Sequence, residues 1–189
     1  AVYQILTKDK VKLTAARTLL YETTKYVDLR DAYEEAAQES DKNDPELRQK
    51  EKYYNKISSV LTPLSKAFST ELANEIAYDC IQVHAGTGYM RDFPAERYYR
   101  DARITNIYEG TTQLQYIAAM GGIIQRQIDP LISEISHMPF EGRLRRLAST
   151  VDMAHDKLQK AVSYIDSIND SDYYELMTDK ICQMETAVF

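Results

Sequence analysis

The chain has 189 residues, 44% of them hydrophobic and 28% charged, with a formal net charge of −6. That is long enough for one domain with a real core, and an acidic balance with no basic block speaks against nucleic acid, whose binding needs clustered Lys and Arg. No apolar run reaches the ~20 residues of a membrane span and no signal peptide is present, so a soluble, cytoplasmic protein is expected.

The periodicity is helical throughout. Val2, Leu6, Leu13, Ala16, Leu20 and Val27 recur at spacings of three, four and seven, which predicts one face of a long helix fading near Glu39. Asp41 to Pro45 reads as a turn, with Asp44 suited to cap the next helix and Pro45 to open it. Leu64, Phe68, Leu72, Ile76 and Cys80 then repeat every four residues, predicting a second long helix that ends near Gly86 and Gly88. On that stripe Cys80 reads as a buried thiol. Pro94 suits the start of a third helix. Leu144, Val151, Leu158 and Ile165, with Leu147, Ala154, Ala161 and Ile168, form a heptad seam. Such a seam serves either an intersubunit coiled coil or a helix laid on its own bundle. A polar turn at Asn169 to Asp172 precedes a last helix carrying Leu176, Ile181 and Met184. No stretch alternates convincingly, so no sheet is expected and the fold class is all-α.

Few residues outside the stripes stand out. The two cysteines, Cys80 and Cys182, lie far apart without ligand spacing. No two histidines are spaced as metal ligands, so no metal site is expected, and His137 and His155 are given no role. Arg143, Arg145 and Arg146 read as a solvated face. The pairs Tyr53–Tyr54, Tyr98–Tyr99 and Tyr173–Tyr174 read as half-buried helix contacts with wet hydroxyls. Arg100 and Asp101 read as a buried structural ion pair.

One stretch concentrates chemistry. Residues Arg97 to Gln115 read RYYRDARITNIYEGTTQLQ. Gly110 leaves room for a ligand to approach the backbone, and Glu109 beside it puts a carboxylate within reach of that ligand. Taken alone, Glu109 reads as a solvated helix glutamate.

The wider text Gln82 to Gln115, QVHAGTGYMRDFPAERYYRDARITNIYEGTTQLQ, resembles the carboxyl-terminal signature of the acyl-CoA dehydrogenases. That family's pattern is roughly Q-x-H/F-G-G-x-G-Y, a proline, R-Y-x-R-D-A, then I-Y-E-G-T. Ala85 departs from it, standing where the family usually has glycine. Lys12 to Ala36 and Leu61 to Cys80 are compatible with the two helices the family places upstream. The resemblance implies an up-down helical bundle over residues 1–127, its first helix largely missing, and a helical extension over 128–189 like that of the larger members. It also implies a carboxyl-terminal piece of a longer enzyme whose β-domain holds the flavin.

The same resemblance implies a reaction and its residues. An acyl-CoA thioester loses a proton from Cα and a hydride from Cβ, the hydride passing to FAD because no side chain accepts one. A carboxylate at its ordinary pKa of ~4.3 is a weak base for that proton, and desolvation under bound ligands strengthens it. Glu109 would be the base and its backbone N–H one donor to the thioester oxygen. Gly110 would lie against the substrate, and Tyr108 would line the acyl pocket. Thr111, Thr112 and Gln113 would contact FAD in the same subunit. Gln82, Val83, His84, Ala85 and Gly86 would sit near the FAD of a neighbouring subunit in a homodimer or homotetramer. Apart from that motif, Thr111 reads as bonding back into its helix, Gln82 as a surface amide and His84 as a core residue. Electrons would pass to an electron-transfer flavoprotein. The alternatives are an acyl-CoA oxidase, with oxygen as acceptor, and a non-catalytic helical module for oligomerisation.

Overall fold

A computed structural model describes residues 1–40 and 44–189, and every regular element among them is helical. α1 (Val2–Glu39) and α2 (Pro45–Tyr89) are long and joined by a short connection, so they run antiparallel. Contacts at both ends agree. Lys12, early in α1, donates to Glu75, late in α2, while Tyr33, late in α1, stacks on Tyr54, early in α2. The Asp44 carboxylate accepts from the N–H of Glu46 at 2.9 Å, and Pro45 occupies the first helical position, as the sequence predicts. The remainder of the turn expected at Asp41 to Pro45 falls on residues 41–43, outside the described residues.

The later elements are shorter. α3 (Ala95–Arg103) follows Pro94 as expected, and a single 3-10 turn (Ile104–Asn106) leads into a loop before α4 (Thr112–Ile124). α5 (Asp129–Ser136), α6 (Gly142–Ile168) and α7 (Ser171–Val188) complete the chain. Asn169 adopts a left-handed conformation and Asp170 caps α7, which places the expected polar turn.

One core joins these elements. Ile57, Val60, Leu61, Leu64 and Ala67 of α2 bury against Tyr116, Ala119, Met120 and Ile123 of α4. Leu158, Val162 and Ile165 of α6 and Ile181, Cys182 and Val188 of α7 enter the same cluster. Each such aliphatic side chain contributes ~1.5–3 kcal/mol on burial. A side chain at Gly122 would strike Val60 Cγ2, so α4 lies on α2 at backbone distance.

Several expectations are corrected. Of the apolar stripe predicted on α1, Ala16 packs inward but most of the rest does not. Val2, Leu6, Leu13 and Leu20 are exposed, and the packed face is Ala16, Leu19, Thr23 and Tyr26. The physical reason lies in the contacts the helix makes. Leu19 and Tyr26 enter the core, and Lys8 and Lys12 on the same face pair with Glu75 of α2, a choice that apolar residues on both faces leave open in the sequence. Leu158 and Ile165 of the heptad seam bury within the chain, whereas Leu144, Leu147 and Ile168 are exposed. The reading of a helix laid on its own bundle therefore describes the second half of α6. Leu176 is exposed as well. Cys80 is only half-buried; the fully buried thiol is Cys182. Arg100 and Asp101 are solvent-exposed with their charged atoms 3.7 Å apart, and such surface pairs contribute little. Tyr98 and Tyr99 are likewise exposed, unlike the half-buried Tyr53–Tyr54 and Tyr173–Tyr174.

Glu185 of α7 is a carboxylic acid inside this core, and its Oε1 has no hydrogen-bond partner among the described residues. Desolvation, reinforced by Asp129, pushes its pKa from 4.5 up to about 7. The fold thus favours the protonated form. The stability tied to this group is complete below pH 4.5 and is lost as pH rises through 7. Glu185→Gln should leave the thermal midpoint nearly unchanged at pH 5 and raise stability at pH 8 by on the order of 2 kcal/mol. A wild-type midpoint that stays flat between those two pH values would contradict the assignment.

Candidate active site

α2 holds the residues that follow α3 through a row of polar side chains on one face. Asn74 Nδ2 donates to the Ala102 carbonyl at 3.1 Å. Glu71 accepts from Asn106 Nδ2 at 3.0 Å and from the Thr112 hydroxyl. Lys66 Nζ donates to the Gly110 carbonyl at 2.7 Å. Residues 102, 106, 110 and 112 are thereby fastened to a single helix.

The loop so held is strained. Glu109 has φ 56 and Gly110 φ 94. A left-handed glutamate is disfavoured because its Cβ crowds the following carbonyl, and such conformations persist where surrounding contacts over-determine them. Here both carbonyls are captured. Gln115 Nε2 donates to the Glu109 carbonyl at 2.9 Å, and Lys66 takes that of Gly110. Gly110 is required on two counts. Its φ suits glycine, and a Cβ there would lie 2.8 Å from Gln115 Nε2.

With the backbone turned inward, the Glu109 side chain is exposed, and its carboxylate makes no hydrogen bond or ion pair among the described residues. Tyr108 is exposed beside it, with the Lys66 ammonium 5.8 Å from its ring centroid. Thr111 caps α4, its hydroxyl accepting from the Leu114 N–H at 3.4 Å, so its local role is the helix bond that its sequence alone suggests. Thr112 is spoken for by Glu71, and Gln113 is exposed.

The second motif lies elsewhere on α2. Gln82 to Gly86 begin 16 residues beyond Lys66, or ~24 Å along a helix rising 1.5 Å per residue. No hydrogen bond joins the two stretches among the described residues. Gln82 and His84 are exposed, which rules out the core reading of His84, and His84 Nδ1 lies 2.8 Å from the Cys80 carbonyl. The helix breaks at Ala85, with φ 52 and ψ −140, and not at Gly86 or Gly88. That region of backbone space belongs almost entirely to glycine. At Gly86 the space a Cβ would take is open.

The donors on these stretches suit a flavin dinucleotide. The Gln82 and Gln113 amides, the His84 ring and the bare backbone at Gly86 all stand at the surface, matching the phosphates and hydroxyls such a cofactor presents. Sequence reasoning missed Lys66, Glu71, Asn74 and Gln115, which set the loop's shape. Their partners are backbone carbonyls or polar side chains distant in the chain, so no local pattern marked them.

Comparison with known proteins places the chain in a family. Residues 2–124 match the family model of the acyl-CoA dehydrogenase C-terminal domain. A probable acyl-CoA dehydrogenase of Mycobacterium tuberculosis is 31% identical over 125 residues, covering 66% of this chain and 26% of that protein. The mitochondrial short-chain specific acyl-CoA dehydrogenase of Rattus norvegicus is 40% identical over 79 residues, or 42% of this chain and 18% of that protein. An acyl-CoA dehydrogenase from Bacillus anthracis, crystallised with FAD, superposes with a TM-score of 0.64 at 18% identity, over 97% of this chain and 33% of that one. The chain belongs to the acyl-CoA dehydrogenase family and carries its C-terminal domain. It spans about a quarter of the length of the M. tuberculosis relative.

Replacing Ala85 by glycine should relieve backbone strain and stabilise the chain by about 1 kcal/mol, net of the greater freedom glycine has when unfolded. Denaturant midpoints of the two proteins measure this directly, and a loss of stability in Ala85→Gly would contradict the backbone assignment.

Proposed function

We propose that the enzyme containing this chain is an FAD-dependent acyl-CoA dehydrogenase with Glu109 as the base that removes the Cα proton. The observation that supports this most is the Glu109–Gly110 pair. A strained backbone is held by two carbonyl contacts while the carboxylate it presents is left without a partner. A residue shaped only for stability would use that charge in a pair or avoid the strain. Residues 1–127 form the family's bundle in this reading, and 128–189 its extension.

The steps assigned to the chain's own residues are few. The Glu109 carboxylate takes the Cα proton of an acyl-CoA thioester, and the Glu109 N–H donates to the thioester oxygen as negative charge gathers there. Gly110 lets the thioester approach the backbone, and the exposed Tyr108 ring borders the acyl chain. Bound FAD supplies the hydride acceptor for Cβ, a chemistry no side chain offers. Thr111, Thr112 and Gln113 hold it from the subunit's own loop. Gln82, Val83, His84, Ala85 and Gly86 serve the FAD of a neighbouring subunit, and the ~16 Å along α2 between Gln82 and Glu71, which holds Thr112, supports that division. A homodimer or homotetramer follows. An electron-transfer flavoprotein is the electron acceptor. A similar subunit of Acetobacterium woodii, 38% identical over 63 residues, belongs to a caffeyl-CoA reductase–Etf complex.

In the full-length enzyme, Glu109→Gln should retain flavin and acyl-CoA binding yet lose bleaching of the flavin by substrate, by a factor of roughly 10⁴ or more, a loss at or above the upper end for a single general base. Normal bleaching in that variant would remove Glu109 from the role.

A further inference from the structure

The contact between Lys66 and the Gly110 carbonyl reaches across 44 residues of sequence. It joins the central helix to the residue directly after the proposed base. Lys66 is half-buried, and no carboxylate lies within ion-pairing distance of it among the described residues. A half-buried ammonium ordinarily recruits an acidic partner. This one instead has a backbone carbonyl at 2.7 Å and the Tyr108 ring at 5.8 Å, both within the loop that carries Glu109.

Peptide geometry converts that contact into an orientation. In a trans peptide the carbonyl and the N–H point in opposite directions. Drawing the Gly110 carbonyl toward α2 turns the Thr111 N–H away from it. Gln115 does the same one peptide earlier, turning the Gly110 N–H away from its own amide. With both peptides of Gly110 oriented, the left-handed Glu109 is held on its C-terminal side, which limits the directions its Cα–Cβ bond can take. A charged donor makes a stronger anchor than the neutral Gln115 amide.

We propose that Lys66 is a positioning residue for the dehydrogenation, its ammonium holding the Gly110 carbonyl so that the left-handed loop aims the Glu109 carboxylate at the substrate. This rests on the reading of Glu109 as the base. Lys66 touches neither substrate nor cofactor in this role. Its effect falls on the rate of proton removal and not on the binding of either ligand.

The test uses the full-length holoenzyme. Lys66→Met keeps the length and apolar stem and removes the ammonium. It should lower kcat and the rate of flavin bleaching roughly 10- to 100-fold, the scale of a 1 Å misplacement of a reacting group, while KM, flavin content and thermal midpoint change little. Lys66→Arg, which keeps a charged donor, should recover much of the rate. In Lys66→Ala, added ethylammonium should restore bleaching in a saturable manner. Unchanged kcat in Lys66→Met overturns the proposal, as does a loss that tracks loss of flavin or of folded protein and is recovered by neither arginine nor ethylammonium. Glu109→Gln measured in parallel separates the two ideas. Normal bleaching there removes the base, whereas an inactive Glu109→Gln beside a fully active Lys66→Met removes only Lys66.

Discussion

The bundle depends on α2 running unbroken from Pro45 to His84. One face of it buries the aliphatic residues that meet α4, and another carries Lys66, Glu71 and Asn74 at nearly regular turns. A 3.6-residue period is what allows one helix to do both, since residues three, four and seven apart share a face and the intervening ones do not. The core fixes where α2 lies, and the polar row then fixes where residues 102 to 112 lie. The shape of the loop is thus inherited from a rigid element and does not have to be encoded by the loop alone.

Strain marks both stretches of the family signature. Ala85 and Glu109 each hold a positive φ without being glycine, and both stand at the surface in segments that match the family signature. The two differ in their support. Glu109 is held by Lys66, Gln115 and the cap at Thr111, whereas the turn after Ala85 is closed by Thr87 bonding back to His84 and by the N–H of Met90 on the Thr87 carbonyl. The signature is therefore in part a description of backbone shape, with glycines and their substitutes occupying positions that side chains resist.

Much of the fold was legible from periodicity. The ends of α1, the cap at Asp44, the start of α3 and the turn before α7 follow from local rules that act within a few residues. The facing of α1 was not legible, because its apolar residues occupy both sides and the choice rests on contacts distant in sequence, Leu19 and Tyr26 in the core and Lys8 and Lys12 on Glu75. The buried half of α6 and the exposed Leu144 and Leu147 look alike in a heptad count, and only the position of α7 separates them. In the loop, Glu109, Gly110 and Thr111 could be singled out by their order in the sequence. Lys66 and Gln115 could not, since their partners are backbone carbonyls and a carbonyl has no letter in the sequence.

α4 bears on two neighbourhoods through adjacent residues. Gln115 reaches back to the Glu109 carbonyl, while Tyr116 turns into the core, where the Cys182 thiol of α7 donates to its carbonyl at 3.4 Å. The start of α4 therefore belongs at once to the Glu109 loop and to the seat of the last helix. The tail of the chain is not an appendage that can be trimmed or exchanged like a cassette. It is the wall against which the loop's own anchor is braced.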